Sequence, residues 1–277
     1  MPLNQTLQQL NAAFPEADQK MPVLFVGHGN PMNAIEDNEF SRAWNSIGQE
    51  LPRPRAILCV SAHWYTRGTL VTGMDKPKTI HDFGGFPREL YEQEYPAPGS
   101  PELAGLAQAT IKKTDVIVDE EWWGLDHGTW SVLARLFPQA DVPVVQLSID
   151  GTQPGEFHYA LGRELNALRH KGVLIVGSGN IVHNLRLVRF QETGQDQAYD
   201  WAIEFDQTIK DLIERGEHDL IVNYQKLGQA ARLSIPMNDH YLPLLYILAL
   251  QGKQEQVRFF ADKVFAGSLS MRSVLIE

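Results

Sequence analysis

The chain has 277 residues, of which 43% are hydrophobic and 21% are charged, as in ordinary globular proteins. Its net charge of -10 argues against nucleic-acid binding, which needs a basic surface, and gives no reason to expect attraction to anionic membranes. The single cysteine, Cys59, excludes an internal disulfide and a thiolate zinc cluster. We find neither an apolar run near the roughly 20 residues of a membrane span nor a signal peptide, so we expect a cytoplasmic protein.

Short apolar runs alternate with longer amphipathic segments along the chain. The predicted strands are residues 23–26, 56–61, 69–72, 115–118, 142–149 and 173–177, with weaker candidates at 256–259 and 268–275. The predicted helices are residues 38–49, 101–112, 129–136, 154–171, 197–215 and 239–251. Near-continuous apolar strands separated by helices predict an α/β fold. We expect a single domain with a central mixed, largely parallel β-sheet covered by helices.

Residues 73–99 form a long segment of different character, rich in proline, glycine and aromatic residues. Loops of this length in compact domains are usually functional covers or disordered segments. Its aromatic side chains, Phe83, Phe86, Tyr91 and Tyr95, argue against disorder. We therefore predict a lid over a site, and a loop packed on the surface for structural reasons is the alternative.

Three of the nine histidines follow predicted strands. His28 lies in "PVLFVGHGNP", His63 in "CVSAHWYT", and His183 follows a glycine-rich turn in "LIVGSGNIVHN". If the strands are parallel, their carboxyl ends lie at one edge of the sheet, where open α/β sheets bind ligands. These three imidazoles are therefore expected to converge.

Two further histidines occupy turns beside apolar segments, His240 in "PMNDHYLPLL" and His127 in "WWGLDHGTW". Converging neutral imidazoles without thiolates suit a first-row divalent metal such as iron, zinc or manganese. The spacing is not diagnostic, because it contains no HExxH motif, and a set of unrelated histidines remains the alternative. The histidines expected to be exposed and without a functional role are His158, His170 and His218.

Other site chemistries are less well supported by the sequence. The turns "GHGNP" and "GSGNI" do not form the G-x-S-x-G elbow of a serine hydrolase. The "GSGN" turn lacks the lysine of a P-loop and the full dinucleotide-binding fingerprint. Carboxylates near the candidate histidines can fix an imidazole tautomer from outside a metal site. These carboxylates are Asp37, Asp82, Asp126 and Asp239.

Seven motifs that occur in order along the chain resemble one known family. They are "GHGNPM", "SAHWYTRG", "TIHDFGGFPRELYEQEYPAPG", "WGLDHGTW", "VQLSID", "GSGNIVHNL" and "HYLPLLYILA". Together they are similar to the class III extradiol ring-cleavage dioxygenases of the LigB superfamily, in the branch called 4,5-DOPA extradiol dioxygenases. The resemblance implies a catalytic domain at residues 21–277 preceded by an N-terminal extension at 1–20.

The resemblance also implies one mononuclear divalent metal, with Fe(II) expected for activity and Zn(II) possible as the bound ion. By motif match, His28, His63 and His240 correspond to metal ligands. His183 corresponds to the acid/base, which can also lie close enough to be a fourth ligand. His127 corresponds to a second catalytic histidine that lines the pocket.

The implied reaction opens a catechol ring with O2, as in 4,5-cleavage of L-DOPA. His81, in the lid segment, is a candidate contact for the polar tail of the substrate. The expected partners are therefore a small catechol and O2. A zinc-binding hydrolase, or a non-catalytic metal-binding protein on the same scaffold, is the alternative function.

Overall fold

The structure is a computed structural model that describes residues 3–189 and 198–277, with only the backbone described for residues 3–7. The strands are β1 (Val23–Gly27), β2 (Ala56–Thr66), β3 (Thr69–Thr72), β4 (Val116–Asp119), β5 (Val144–Asp150), β6 (Val173–Gly179), β7 (Val257–Phe260), β8 (Val264–Phe265), β9 (Leu269–Ser270) and β10 (Ser273–Ile276). The helices are α1 (Leu3–Ala13), α2 (Glu39–Glu50), α3 (Arg88–Tyr91), α4 (Pro101–Thr110), α5 (His127–Leu136), α6 (Gly155–Glu164), α7 (Asn166–Arg169), α8 (Asp200–Arg215), α9 (His218–Val222), α10 (Gln229–Ser234) and α11 (Leu242–Leu248). Within these residues, every helix is too short or too polar to cross a membrane.

The described residues form one eight-stranded mixed sheet in the order β4-β3-β5-β2-β6-β1-β10-β7. The pairs β1–β6, β2–β6, β2–β5 and β3–β4 are parallel. The pairs β3–β5, β1–β10 and β10–β7 are antiparallel. Strands β1, β5 and β6 are buried along their whole length, as strands covered on both faces must be. The predicted α/β fold with a mixed, largely parallel sheet is confirmed.

The core lies on both faces of the sheet, and alternate residues of β1 show why. Val23 and Phe25 pack in one hydrophobic cluster, whereas Leu24 and Val26 pack in the other. Successive side chains of a strand point to opposite faces, so an all-apolar strand supplies both layers. Burying each such side chain contributes roughly 1.5–3 kcal/mol.

Parallel pairing of β1, β2 and β6 brings their carboxyl ends to one edge of the sheet. Gly27 pairs with Gly179 in register, and His28 follows β1 directly. A side chain at Gly27 would come within 2.7 Å of the Met271 backbone carbonyl, so only glycine fits there. Gly29 has a φ of +58°, a conformation that glycine adopts without strain. The glycines on either side of His28 thus allow the tight turn at the strand end.

Several boundaries differ from the sequence prediction. The segment 154–171 forms two helices, α6 and α7, and 239–251 is helical only over α11. The segment 197–215 begins outside the described residues and is helical from Asp200. Helices α1, α3, α9 and α10 and strand β8 were not predicted.

The predicted N-terminal extension contains α1, whose Leu10 contacts Gly105 of α4 and packs on the core. His158 was expected to be exposed but is fully buried, with Nδ1 2.9 Å from the Tyr246 hydroxyl. A helical face that packs on α11 buries this histidine, and the polar local sequence gives no sign of that contact.

A candidate metal centre at the carboxyl edge of the sheet

Five histidines from five segments of the chain line one cavity of about 490 Å³. They are His28, His63, His127, His183 and His240. The lid segment 73–99 supplies Asp82, Phe83 and Phe86 to the same cavity. The structure therefore brings together the histidines that the sequence singled out and places part of the predicted lid over them.

His28 and His63 lie opposite each other, with their Nε2 atoms 3.1 Å apart. Ser178 Oγ lies 2.9 Å from His28 Nδ1 and donates its one proton to the Gly128 carbonyl oxygen at 2.5 Å. His28 Nδ1 must therefore be the donor to Ser178, which leaves the Nε2 lone pair directed at His63. A nitrogen lone pair so directed is suited to bind a cation.

His127 is the first residue of α5, and a lid carboxylate holds its ring. Asp126 caps this helix by accepting a hydrogen bond from the Thr129 amide. Asp82 Oδ1 lies 2.9 Å from both the backbone amide and Nδ1 of His127. Asp82 Oδ2 lies 3.5 Å from His63 Nδ1. One carboxylate thus faces the Nδ1 atoms of two imidazoles and favours an Nδ1–H tautomer on each.

His240 and His183 form a stacked pair, with ring centroids 3.5 Å apart and planes 6° from parallel. The His240 centroid lies 5.1 Å from that of His28 and 5.0 Å from that of His63. His240 Nδ1 is 3.2 Å from Asp239 Oδ2 but has no hydrogen-bond partner among the described residues. The site therefore contains a buried ring nitrogen whose bonding capacity is unused.

The arrangement fits one mononuclear metal ion. The centroids of His28, His63 and His240 form a nearly equilateral triangle of 5.0–5.1 Å sides. Three imidazoles bound to one ion at about 2.1 Å place their ring centres roughly 5 Å apart. A second triad, His28, His63 and His127, has ligand atoms within 4.8 Å of one another. The two triads share His28 and His63.

Four imidazoles of the site, those of His28, His63, His183 and His240, are neutral at pH 7. Burial, reinforced by the neighbouring imidazoles, lowers the pKa of His28 and His240 well below the ordinary value. Burial also lowers the pKa of His63 to about 3 and that of His183 to about 4. Neutral imidazole is the form that binds a metal or accepts a proton, so the cavity presents basic nitrogens rather than charges.

Other candidate residues lie outside the cavity lining. His81 Nε2 is 2.9 Å from the Gln93 carbonyl oxygen, and its ring packs edge-on to Phe83 at 5.8 Å. Asp37 pairs with Arg42 at the surface, where both side chains are largely exposed. The structure thus places His81 within the packing of the lid and Asp37 away from the histidines.

Two supporting contacts were not recognisable in the sequence. Ser178, which fixes the His28 tautomer, reads locally as part of a glycine-rich turn. Ser61 Oγ donates a hydrogen bond to buried Asp126 at 2.7 Å, in the strand that carries His63. Burial raises the pKa of Asp126. Ser61 lies two residues before His63 in the same strand and therefore on the same face of the sheet. That spacing is the one sequence signal that could have identified it.

Comparison with known proteins places the chain in a family. Residues 22–268 match the model described as the catalytic LigB subunit of aromatic ring-opening dioxygenase. The chain is 49% identical over 260 residues to the 4,5-DOPA dioxygenase extradiol of Escherichia coli, covering 93% of this chain and 95% of that protein. It is 33% identical over 261 residues to the protein of that name from Beta vulgaris, with 92% and 96% covered.

A solved structure of an uncharacterized Escherichia coli K12 protein matches with a TM-score of 0.81 and 44% identity, over 93% of this chain and 100% of that chain. The residues matched by the family model, 22–268, include the described site. The chain therefore belongs to the LigB family of aromatic ring-opening dioxygenases and, within it, to the extradiol enzymes of the 4,5-DOPA dioxygenase group.

Proposed function

We propose that this protein opens the ring of a catechol with O2 by extradiol cleavage and that L-DOPA, cut at the 4,5 position, is the first substrate to test. The observation that carries the proposal is the cluster of five histidines, three buried and two half-buried, beneath an aromatic lid. The names of the relatives from Escherichia coli and Beta vulgaris support the choice of substrate. The physiological catechol is a separate question for a substrate panel.

The proposed metal ligands are His28, His63 and His240, with His183 close enough to serve as a fourth. The equal spacing of the first three rings supports this set. The proposed ion is Fe(II) for activity, with Zn(II) as an ion the same nitrogens would also hold. When bound, such an ion supplies Lewis acidity that lowers the pKa of the catechol hydroxyls and a place for O2 beside the ring.

His183 is the proposed general acid/base. Its ring is neutral and lies against His240, at the edge of the ligand triangle. A neutral imidazole can take a proton from a catechol hydroxyl at one step and return it later, which typically contributes 10²–10⁴-fold in rate. The low pKa favours the return of that proton.

His127 is proposed to orient the substrate. Its Nδ1 is held by Asp82, so Nε2 is left to accept a hydrogen bond from a substrate hydroxyl. Phe83 and Phe86 line the same cavity and exclude water from one side of the ring-binding space. The contact of His81 with the polar tail of the substrate stays a prediction, since its Nε2 bonds the Gln93 carbonyl outside the cavity lining.

The test is anaerobic reconstitution with Fe(II), followed by L-DOPA and then air. We expect O2 uptake and a yellow ring-opened product from the wild-type protein. A His183→Ala variant that keeps one metal per chain should form no product, and exposed His170→Ala should match wild type. Full metal loading without O2 uptake across a panel of catechols would contradict the proposal and favour a hydrolase or a non-catalytic metal protein.

We also propose a cytoplasmic location. The one cysteine, Cys59, is a buried free thiol that accepts a hydrogen bond from Thr129, and burial raises its pKa to about 12. An unreactive thiol of this kind is compatible with a reducing compartment, in which an Fe(II) centre is also easier to maintain. Immunodetection in fractionated cells would test the location.

A further inference from the structure

Asp82 connects the lid to histidines on two different elements. Its side chain is only 19% exposed, although it lies in a surface loop. One oxygen accepts hydrogen bonds from the amide and Nδ1 of His127, at the start of α5. The other oxygen faces Nδ1 of His63, in β2, at 3.5 Å. A single lid side chain thus contacts both a helix and a strand of the site.

The carboxylate of Asp82 determines which nitrogen of the His63 and His127 rings carries the proton. An ionised carboxylate only accepts hydrogen bonds, so it favours a proton on the Nδ1 atoms of His63 and His127. The lone pairs then lie on the Nε2 atoms, and that of His63 faces His28 Nε2 at 3.1 Å. Removing the carboxylate would leave both rings free to choose the other tautomer or to turn.

The lid is anchored on the side that precedes Asp82. Backbone hydrogen bonds join Ile80 and Lys78 to Leu125 at 2.8 and 2.9 Å, and Trp130 Nε1 donates to the Ile80 carbonyl at 2.9 Å. These contacts fix residues 78–80 in place against the segment that enters α5. The residues that follow Ile80 are held by other contacts.

The lid tip, defined as residues 82–86, is held to the site by its side chains. Phe83 packs edge-on against His127, with ring centroids 5.5 Å apart. Gly84 and Gly85 are exposed, and a Cβ at either would have open space around it. Phe83 also packs against Phe86 and Tyr91, with ring centroids 5.3 and 5.0 Å away. Asp82 and Phe83 are the side chains that join the tip to the histidines.

We propose that Asp82 is a positioning residue that couples metal binding to the order of the lid tip. The inference rests on the proposed function in that His63 is taken as a ligand. An ion that fixes His63 Nε2 holds its Nδ1–H toward Asp82, and Asp82 in turn holds the tip over the cavity. Because such coupling is reciprocal, a tip secured by Asp82 also strengthens metal binding.

The experiment uses the full chain and Zn(II), which binds without redox chemistry. A competition titration gives the Zn(II) affinity, and amide hydrogen exchange of residues 82–86 with and without Zn(II) reports the order of the tip. Asp82→Asn keeps the size of the side chain, and we expect it to weaken Zn(II) binding by about 10–100-fold. It should also abolish the protection of the tip by Zn(II).

Glu89→Gln is the matched control, because Glu89 is an exposed acid of the same lid segment, in α3. It loses the same charge and should behave as wild type in both measurements. Asp82→Glu retains a carboxylate and should recover part of the affinity and part of the protection. This second variant also decides the matter if Asp82→Asn does not fold, which circular dichroism would show.

The proposal is overturned if the Zn(II) affinity of Asp82→Asn is within about twofold of that of the wild-type protein. It is equally overturned if Zn(II) protects the tip from exchange to the same extent in the variant and in the wild-type protein. It is also overturned if Zn(II) leaves exchange of the wild-type tip unchanged. Neither measurement requires turnover. A protein that shows the coupling but consumes no O2 contradicts only the proposed function, whereas an active enzyme without the coupling contradicts only the role of Asp82.

Discussion

Two buried polar clusters in this protein differ in how their bonding groups are used. The first, which we call the Arg272 cluster, consists of Arg272, Asp206, Asp262 and Ser270. Arg272 donates to Asp206 at 2.5 and 2.9 Å and also pairs with Asp262. Ser270 donates to the other oxygen of Asp206 at 2.5 Å. In the histidine cluster, by contrast, like groups lie side by side, and a lone pair of His28 is directed at another imidazole.

This difference separates a structural cluster from a functional one. The Arg272 cluster joins α8 to the C-terminal strands, and opposite charges neutralise one another there. The histidine cluster lacks such internal compensation, since neutral imidazoles cannot neutralise one another's lone pairs. Buried polar groups are normally paired, so unused capacity at a strand edge indicates a ligand.

The largest expected effect is loss of the metal. His28→Ala and His63→Ala should each abolish stoichiometric metal binding and ring cleavage, because the two residues belong to both candidate triads. Elemental analysis of the purified proteins measures the occupancy, with exposed His170→Ala as the control. Full occupancy in either variant would show that the ligand set is wrong.

The same measurement separates the two triads. With His240 as the third ligand, His240→Ala should lose bound metal, whereas His127→Ala should keep one ion per chain and lose turnover. The opposite result would assign the third position to His127. The comparison is direct because both rings contact His63, at centroid distances of 5.0 and 3.8 Å.

Breaking the structural cluster should reduce stability without affecting the metal. Arg272→Met leaves Asp206 buried and without its cation, which typically costs about 3–5 kcal/mol in the free energy of unfolding. Chemical denaturation measures the loss, and metal occupancy of the folded protein should not change. Arg258→Met is the control, since its pair with Glu50 is 43% and 47% exposed, where solvent screens the charges, and its loss should change stability much less.

The metal-free protein should lose stability as the pH falls from 7 to 5. The pKa of His183 is about 4 in the folded state and 6.5 ordinarily, so the unfolded chain binds more protons in this range. Each such proton lowers the free energy of unfolding by about 1.4 kcal/mol per pH unit. The contribution is fully present above about pH 6.5 and is lost as the pH falls through the folded pKa.

Denaturation curves at several pH values test this dependence. His183→Gln should reduce the slope by about one proton, and His170→Gln, at an exposed position, should leave it as in wild type. An unchanged slope in His183→Gln would mean that His183 does not stay neutral in the folded protein.

The smallest expected effect belongs to His81. His81→Phe removes one hydrogen bond to the Gln93 carbonyl, which is worth about 0.5–1.5 kcal/mol, and retains an aromatic ring in the lid. We expect KM for L-DOPA to change by less than about tenfold. A larger rise in KM with unchanged stability would instead indicate a direct contact with the substrate tail.

The layered α/β fold and the convergence of the strand-end histidines could be predicted from the residues alone. Both follow from local patterns: all-apolar β-branched runs indicate strands buried on both faces, and parallel strands share one edge. His28 and His63 could be placed at that edge because each follows its strand closely. The aromatic composition of residues 73–99 likewise predicted an ordered cover.

The contacts between side chains could not be predicted in this way, because they depend on how the elements pack. Three of these contacts join residues far apart in the chain. They are the hydrogen bond of buried His158 to Tyr246, that between Ser178 and His28, and the contacts of Asp82 with the rings of His63 and His127. The short helices α9 and α10 form against α8 and lack a periodic pattern of their own. Such contacts depend on how elements pack, and no local pattern of residues encodes the distance between two side chains 45 or 150 positions apart.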